Sequence, residues 1–421
     1  MMGLKAYTNK YLPIAILYFF FNSFLLPLGL LYTTLLTPFF IVWLFKYPSF
    51  KYLAVFFGIT VPFMIVHFIN GVDYMVYFKS YLLFFSVYVF CLTFYQFLLV
   101  QSSLDALFWN ITVLNICFVV LALFILITPY YDLMWYKNTL TTGVEPTYRL
   151  KLLTYEASYY SLLFLPIALF FYLKMLLHQF SGKLIVFFLI TIPLVLSLSF
   201  GVILGLIFAM VLVFCVEPRL LSRNPKWPVF VAGGLVVVAL VIFLLIRFYP
   251  DNMVFVRIVN FTRGKDESFN RRTFDAMYLG WKLAEQKSLL FGSGPGQIKL
   301  TGIEIFSTYY QSTFTPEQIV IPNNVGDLLA KYGLLGVGIK LFLEVFFFFK
   351  TRVHLNYYRF ALFCFVFFYQ FTGSFITNIA EYVIWLMAFC PVLFPAFNRE
   401  KIFPLSHKAN QPVNKDKVVT D

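Results

Sequence analysis

Apolar runs long enough to cross a bilayer recur from one end of this chain to the other, and lysine and arginine gather at alternate gaps between them. A membrane-crossing helix needs about 20 mostly apolar residues. Runs of this kind are read at 12–27, 28–44, 52–69, 74–100, 107–128, 155–173, 184–198, 200–216, 229–248, 325–349, 360–376 and 382–397. The expectation is an all-α polytopic membrane protein of about twelve transmembrane helices. With 61% of its 421 residues hydrophobic and 12% charged, the chain has too little polar surface to cover a soluble core.

The basic residues set the expected orientation. Lys5, Lys10, Lys46, Lys51, Lys174, Lys183, Arg219, Arg223, Lys226, Lys350, Arg352, Arg359, Arg399, Lys401 and Lys408 fall in short loops or tails on one side. The turns near Gly29, Gly71, Ser199 and Gly373 fall on the other and hold almost none. Positive-inside asymmetry then puts both termini in the cytoplasm, with the first run an uncleaved anchor. The net charge of +13 is mostly this orienting charge and gives no reason to expect a nucleic-acid partner. Cys91, Cys117, Cys215, Cys364 and Cys390 all lie in predicted helices, which excludes a disulfide framework and a cysteine metal cluster. The 56 phenylalanines and 28 tyrosines read first as lipid-facing bulk and interfacial belts.

Two long polar segments divide the chain. The expected organisation is 1–129 as N-terminal membrane helices, 130–154 as a first external loop, 155–249 as central helices, 250–324 as a large external loop, 325–398 as C-terminal helices and 399–421 as a cytoplasmic tail. Loops of this length between membrane helices usually carry function. In the larger loop, helical spacing puts Phe274, Met277, Tyr278 and Trp281 on one face, with Asn270 or Ser268 as N-cap. The expectation is an amphipathic helix lying apolar face down at the membrane interface.

Arg271 and Arg272 are expected in the first turn of that helix, where the dipole already presents positive charge, and Arg257, Arg263 and Lys265 precede them. Such stacking is favourable once an anion arrives, and arginine grips phosphate bidentately. Contact with lipid phosphates is the plainer alternative. Arg149 and Lys151, just before Glu156, could close the clamp from the other loop. Gly292, Gly294 and Gly296 form a tight turn that is neither a Walker loop nor a dinucleotide fingerprint. Asn323, Asn324 and Asp327 stand at the outer end of the next membrane helix, where N-capping is the simple reading. Lys340 and Glu344, spaced i to i+4, are expected to pair with each other.

Taken in order, RRTFDAMYLGWKLA (271–284), LLFGSGPG (289–296) and PNNVGDLLAKYGLLG (322–336) resemble the signature of the bacterial O-antigen polymerase and O-antigen ligase superfamily. LSLSFGVILGL (196–206) and YEASYYS (155–161) are similar to two further segments of that family. The resemblance implies a GT-C-like membrane glycosyltransferase working without a cofactor or metal. Its substrate would be an undecaprenyl-diphosphate-linked oligosaccharide, met among membrane lipids at the periplasmic face of the inner membrane, and a chain-length regulator is left open as a partner. A polymerase would move the growing glycan onto a new lipid-linked repeat unit; a ligase would move it onto lipid A core. Negative charge building on the leaving diphosphate calls for the arginines, and the attacking hydroxyl calls for a carboxylate base. Glu156 is the first candidate and Asp327 the second. Asn323-Asn324 stands where ligases and many polymerases carry His-Asn, and Phe200 where many relatives carry Arg. The four histidines, His67, His178, His354 and His407, all lie outside the two long loops. His67 and Asp73 are read near the outer surface, lining an acceptor groove or serving as ordinary interfacial residues. A secondary transporter or lipid-linked oligosaccharide flippase would share the helix count, but no internal repeat supports it.

Overall fold

A computed structural model describes residues 12–27, 30–100, 104–138, 147–177, 183–222, 259–260, 262–264 and 266–403. The predicted span at 229–248 and Arg257 lie outside the described residues. The protein is mostly helical. Helix α1, Leu12–Ile16, continues into a π turn, Leu17–Phe21, and is followed by α2, Thr37–Leu44. Next come α3, Leu53–Ile69, α4, Tyr74–Val100, and α5, Leu104–Leu126. A hairpin, β1 Trp135–Asn138 and β2 Thr147–Leu150, leads to α6, Ala157–Leu177, α7, Lys183–Leu196, and α8, Phe200–Val216. Beyond these stand α9, Ala276–Glu285, α10, Ile298–Tyr310, α11, Asn324–Lys350, α12, Tyr357–Tyr369, and α13, Ile379–Phe389.

Among the described residues, five helices are long and apolar enough to cross a membrane, and five shorter apolar helices accompany them. The chain is an integral membrane protein. The runs at 12–27 and 28–44 are not two full-length helices. Asn22 turns the chain back instead, its Oδ1 accepting from both the amide and the hydroxyl of Thr33 at 3.0 Å. At the centre lies α6, buried around nearly its whole circumference, as a helix apolar on every side must be. Its neighbour α12 is tied to it by the Tyr358 hydroxyl, which donates to the Pro166 carbonyl at 3.0 Å.

Helix α11 breaks at Gly333, whose φ of +64° and ψ of −167° interrupt the ladder. Four backbone groups are left without their usual partners, and the glycine-rich loop supplies all four. The amides of Leu334 and Leu335 donate to the carbonyls of Leu289 and Leu290, while the freed carbonyls of Ala330 and Lys331 accept from Ser293 and Gly294. Within a membrane protein such an irregular stretch persists only where protein restores the lost hydrogen bonds. The turn at 292–296 is therefore a structural wedge. Gly292 adopts φ +81°, and a Cβ there would strike the backbone of Lys331 and Tyr332.

Helix α9 meets the first part of α11 backbone to backbone. A Cβ on Gly280 would lie 2.6 Å from the Gly326 carbonyl oxygen, and one on Gly326 would lie 2.6 Å from that of Ala276. Consequently α9 turns Ala276, Leu279, Gly280 and Leu283 toward the protein, and Phe274, Tyr278 and Trp281 stay exposed. The aromatic face does not pack on the bundle. The start of this helical stretch also differs from expectation: it begins at Glu267, where the Asp266 carboxylate accepts from the Phe269 amide at 2.7 Å. Asn270 is not the cap and donates to the Gly264 carbonyl instead. Arg271 and Arg272 thus sit beyond the first turn, inside a π turn spanning Arg271–Asp275, and not on the bare positive end of the dipole.

Basic side chains mark the opposite end of the bundle. There Glu217, 2% exposed, holds Arg219 at 2.6 Å and Arg399 at 2.7 Å and accepts from the Tyr357 hydroxyl. Arg359 donates to the Ala388 carbonyl and to Thr351, joining the ends of α11 and α13.

Candidate functional site

The ends of α12 and β2, the start of α6 and the π turn before α9 bring charged groups around Tyr369. Arg272, Glu156, Glu381 and Arg149 are all within electrostatic reach of its hydroxyl. Tyr369 is 6% exposed, and its ring lies against Gly373 and the Gly201 backbone at the start of α8.

Each charged side chain is placed by a different device. The hairpin pairs Arg149 with Tyr136 and aims its guanidinium at the break between α7 and α8. Arg149 Nε donates to the Ser197 carbonyl at 3.1 Å, and Nη2 reaches the hydroxyls of Ser158 and Ser199 at 3.3 Å. That break exists because Leu198 takes a left-handed conformation with φ +47°. Glu156 stands just before α6, its carbonyl accepting the Tyr160 amide at 3.0 Å. Among the described residues its half-buried carboxylate makes no hydrogen bond or ion pair.

Arg272 is held through its backbone. Asn323 Nδ2 donates to the Arg272 carbonyl at 3.0 Å and to that of Phe371 at 2.7 Å, while Asn323 Oδ1 caps α11 by accepting from Gly326 at 2.6 Å. The buried side chain of Asn323 therefore joins three elements. The Arg272 guanidinium, like the Glu156 carboxylate, is without an ion pair among the described residues. A π turn inserts an extra residue into a helix and frequently marks a functional position.

The other expected members of the clamp are elsewhere engaged or apart. Arg271 points to α10, its guanidinium 4.9 Å from the Tyr310 ring centre. Arg263 is exposed in the turn preceding the helix. Asp327 is paired with Lys331 at 2.6 Å and accepts from the Ile376 amide at 3.1 Å, so its carboxylate is already committed. His67 and Asp73 serve the glycine-rich loop. Nε2 of His67 donates to the Phe291 carbonyl at 2.7 Å, while the Asp73 backbone exchanges two hydrogen bonds with the Gln297 side chain at 3.0 Å each.

Tyr369 and Glu381 were not singled out from the sequence. A lone carboxylate within an otherwise apolar run was the available signal for Glu381, since ionisable groups inside membrane helices are rare and costly. Tyr369 carries no such signal among so many aromatics. The arrangement offers two guanidiniums and a free carboxylate at one end of an apolar bundle. Such a group can hold a dianionic leaving group and take a proton beside it.

Residues 185–341 match the family described as O-antigen ligase, a stretch running from α7 into α11 and including Ser197, Ser199, Arg272 and Asn323. No curated protein matches the chain.

Proposed function

We propose that the protein is a membrane glycosyltransferase that moves a growing glycan from a polyprenyl diphosphate to a sugar hydroxyl of a lipid-linked repeat unit. The supporting observation is that the charges of Arg149, Arg272 and the unpaired Glu156 all bear on the Tyr369 hydroxyl. Breaking the bond between an anomeric carbon and diphosphate builds negative charge on the departing oxygens. Positioned guanidiniums stabilise that charge at the moment it forms. The attacking hydroxyl loses its proton to Glu156, the carboxylate left free to accept it. In this reading the site faces the periplasm, both termini are cytoplasmic and the protein resides in the bacterial inner membrane. The resemblance of residues 185–341 to the ligase family supports chemistry on a lipid-diphosphate glycan.

The description of that family also favours a second reading, transfer of the finished glycan to lipid A core. Polymerisation is preferred because Asn323 occupies the motif position where ligases, and many but not all polymerases, carry histidine, and here it anchors the Arg272 backbone. Purified protein supplied with a lipid-diphosphate oligosaccharide should yield higher oligomers. Deleting the gene should leave single repeat units attached to lipid A core. A strain that loses all attached glycan would instead support ligation, and a purified protein that leaves the lipid-linked substrate unchanged would defeat the transferase reading.

A further inference from the structure

A polar cluster with an incomplete set of partners lies buried where α11, α12 and α13 meet. Lys340 pairs with Glu344 at 2.8 Å, donates to Gln370 Oε1 and stands 3.7 Å from Glu381 Oε1. Gln370 Nε2 donates to the second oxygen of Glu344 at 2.9 Å. Asn324 Nδ2 donates to Glu381 Oε1 at 2.6 Å, and Trp385 Nε1 reaches the same oxygen at 3.4 Å. Two oxygens are left over. Among the described residues Asn324 Oδ1 and Glu381 Oε2 have no hydrogen-bond partner, although both residues are wholly buried.

Charge is incomplete in the same place. Two carboxylates, Glu344 and Glu381, share one ammonium, Lys340, which leaves one negative charge in excess. Among the described residues the other titratable groups facing Glu381 are the hydroxyls of Tyr369 on α12 and Tyr382 on its own helix, and neither supplies a positive charge. Beyond Tyr369 stand Arg149, Arg272 and Glu156. A buried carboxylate oxygen and a buried amide oxygen, both acceptors and both unmet, are strongly disfavoured unless a donor or cation joins them.

We propose that Asn324 Oδ1 and Glu381 Oε2 form a site for a single positive charge, a proton or an alkali cation. A proton on Glu381 Oε2 would complete a ring, with the carboxamide donating to Oε1 and the carboxyl donating to Oδ1. An alkali cation would instead take both oxygens as ligands, chemistry that suits hard oxygen donors. Either satisfies the two orphaned atoms and cancels the excess charge in one step. The site does not rest on the proposed transfer reaction, since its evidence is the hydrogen-bond and charge balance alone.

The test uses the full-length protein in detergent. Thermal unfolding is followed in sodium, potassium or choline chloride at matched ionic strength, and separately across pH in choline chloride. A midpoint that rises by several degrees with sodium or potassium at fixed pH identifies an alkali cation. One that rises on acidification and ignores the salt identifies a proton. Glu381→Gln, which brings its own N–H donor and no charge, should remove whichever response the native protein shows. The same response in native protein and variant would overturn the proposal. Should the variant fail to fold, the native protein alone decides: the absence of both a protonated-carboxyl infrared band and heat on titration with sodium or potassium chloride would overturn it.

Discussion

Asn323 donates its side-chain amide to the backbone carbonyl of Arg272 at 3.0 Å, across 51 residues of sequence. Through this bond the cap of α11 and the π turn before α9 become one unit, and the position of the Arg272 guanidinium follows from how α11 begins. The same amide holds the Phe371 carbonyl just past the end of α12, two residues from Tyr369. A capping residue is thus also the positioning residue for a cation at the candidate site.

Replacing Asn323 by Ala should cost about 2–3 kcal/mol, combining a lost cap of about 1 kcal/mol with carbonyls left unpaired in a buried place. The loss should appear as a lower unfolding midpoint in detergent. Transfer should fall further than the lost stability explains when assayed well below that midpoint. A variant destabilised to this degree yet fully active would dissociate the cap from the site.

Arg272→Ala is expected to reduce glycan transfer about 10²- to 10³-fold, the cost of losing one positioned donor to a developing oxyanion. Arg271→Ala should lose less, because that guanidinium lies over Tyr310 on α10. Chain-length ladders from membranes with matched protein levels compare the two. Equal losses would place both arginines on the substrate.

Glu156→Gln keeps shape and removes the base. Transfer by the purified protein should drop about 10²- to 10⁴-fold while lipid-linked substrate still binds. Asp327→Asn should act differently, since it breaks a buried pair with Lys331 and should lower stability before it touches chemistry. Full polymerisation by the Gln variant would remove Glu156 from the mechanism.

The membrane architecture was legible in the sequence because hydropathy and helix length are local properties. So was the pairing of Lys340 with Glu344, a matter of helical spacing. Which face of α9 meets the protein is not legible from a hydrophobic pattern dominated by large aromatics, because Gly280 and Gly326 let backbones approach where aromatics could not fit. The helical stretch starts earlier than its hydrophobic pattern, so Asp266 and not Asn270 caps it. Charge in both loops leads a sequence reading to set Arg149, Arg272 and Glu156 together. Glu381 and Tyr369 join them only through packing between distant helices, which no local pattern encodes.

Gly292→Ala and Gly333→Ala should each be severely destabilising, on the order of 3 kcal/mol or more, because strain at positive φ adds to a collision with backbone. Gly292 would meet Lys331 and Tyr332, and Gly333 would meet Leu290. Gly338→Ala is the control, since a Cβ there meets nothing within 4 Å. Yield of folded, detergent-extracted protein measures the difference, and equal yields for the three variants would mean that the loop does not brace the break in α11.

Glu217 makes the opposite end of the bundle sensitive to acid. A hydrogen bond from Arg219, aided by the charges of Arg399 and Arg219, holds its carboxyl below the usual carboxylate range against the opposing effect of burial. A group whose folded-state affinity for protons is lowered adds stability above its unfolded pKa, about 4.3 for glutamate, and loses that contribution as pH falls through the folded value. The unfolding midpoint should therefore hold steady from neutral pH down to about pH 5 as far as this group is concerned, then decline more steeply in the native protein than in Glu217→Gln. At neutral pH the Gln variant should already be the less stable of the two, because Arg399 and Arg219 lose the carboxylate that joins them. Parallel midpoints for both proteins across that range would show that the pairing contributes nothing to holding α8, α12 and the C-terminal segment together.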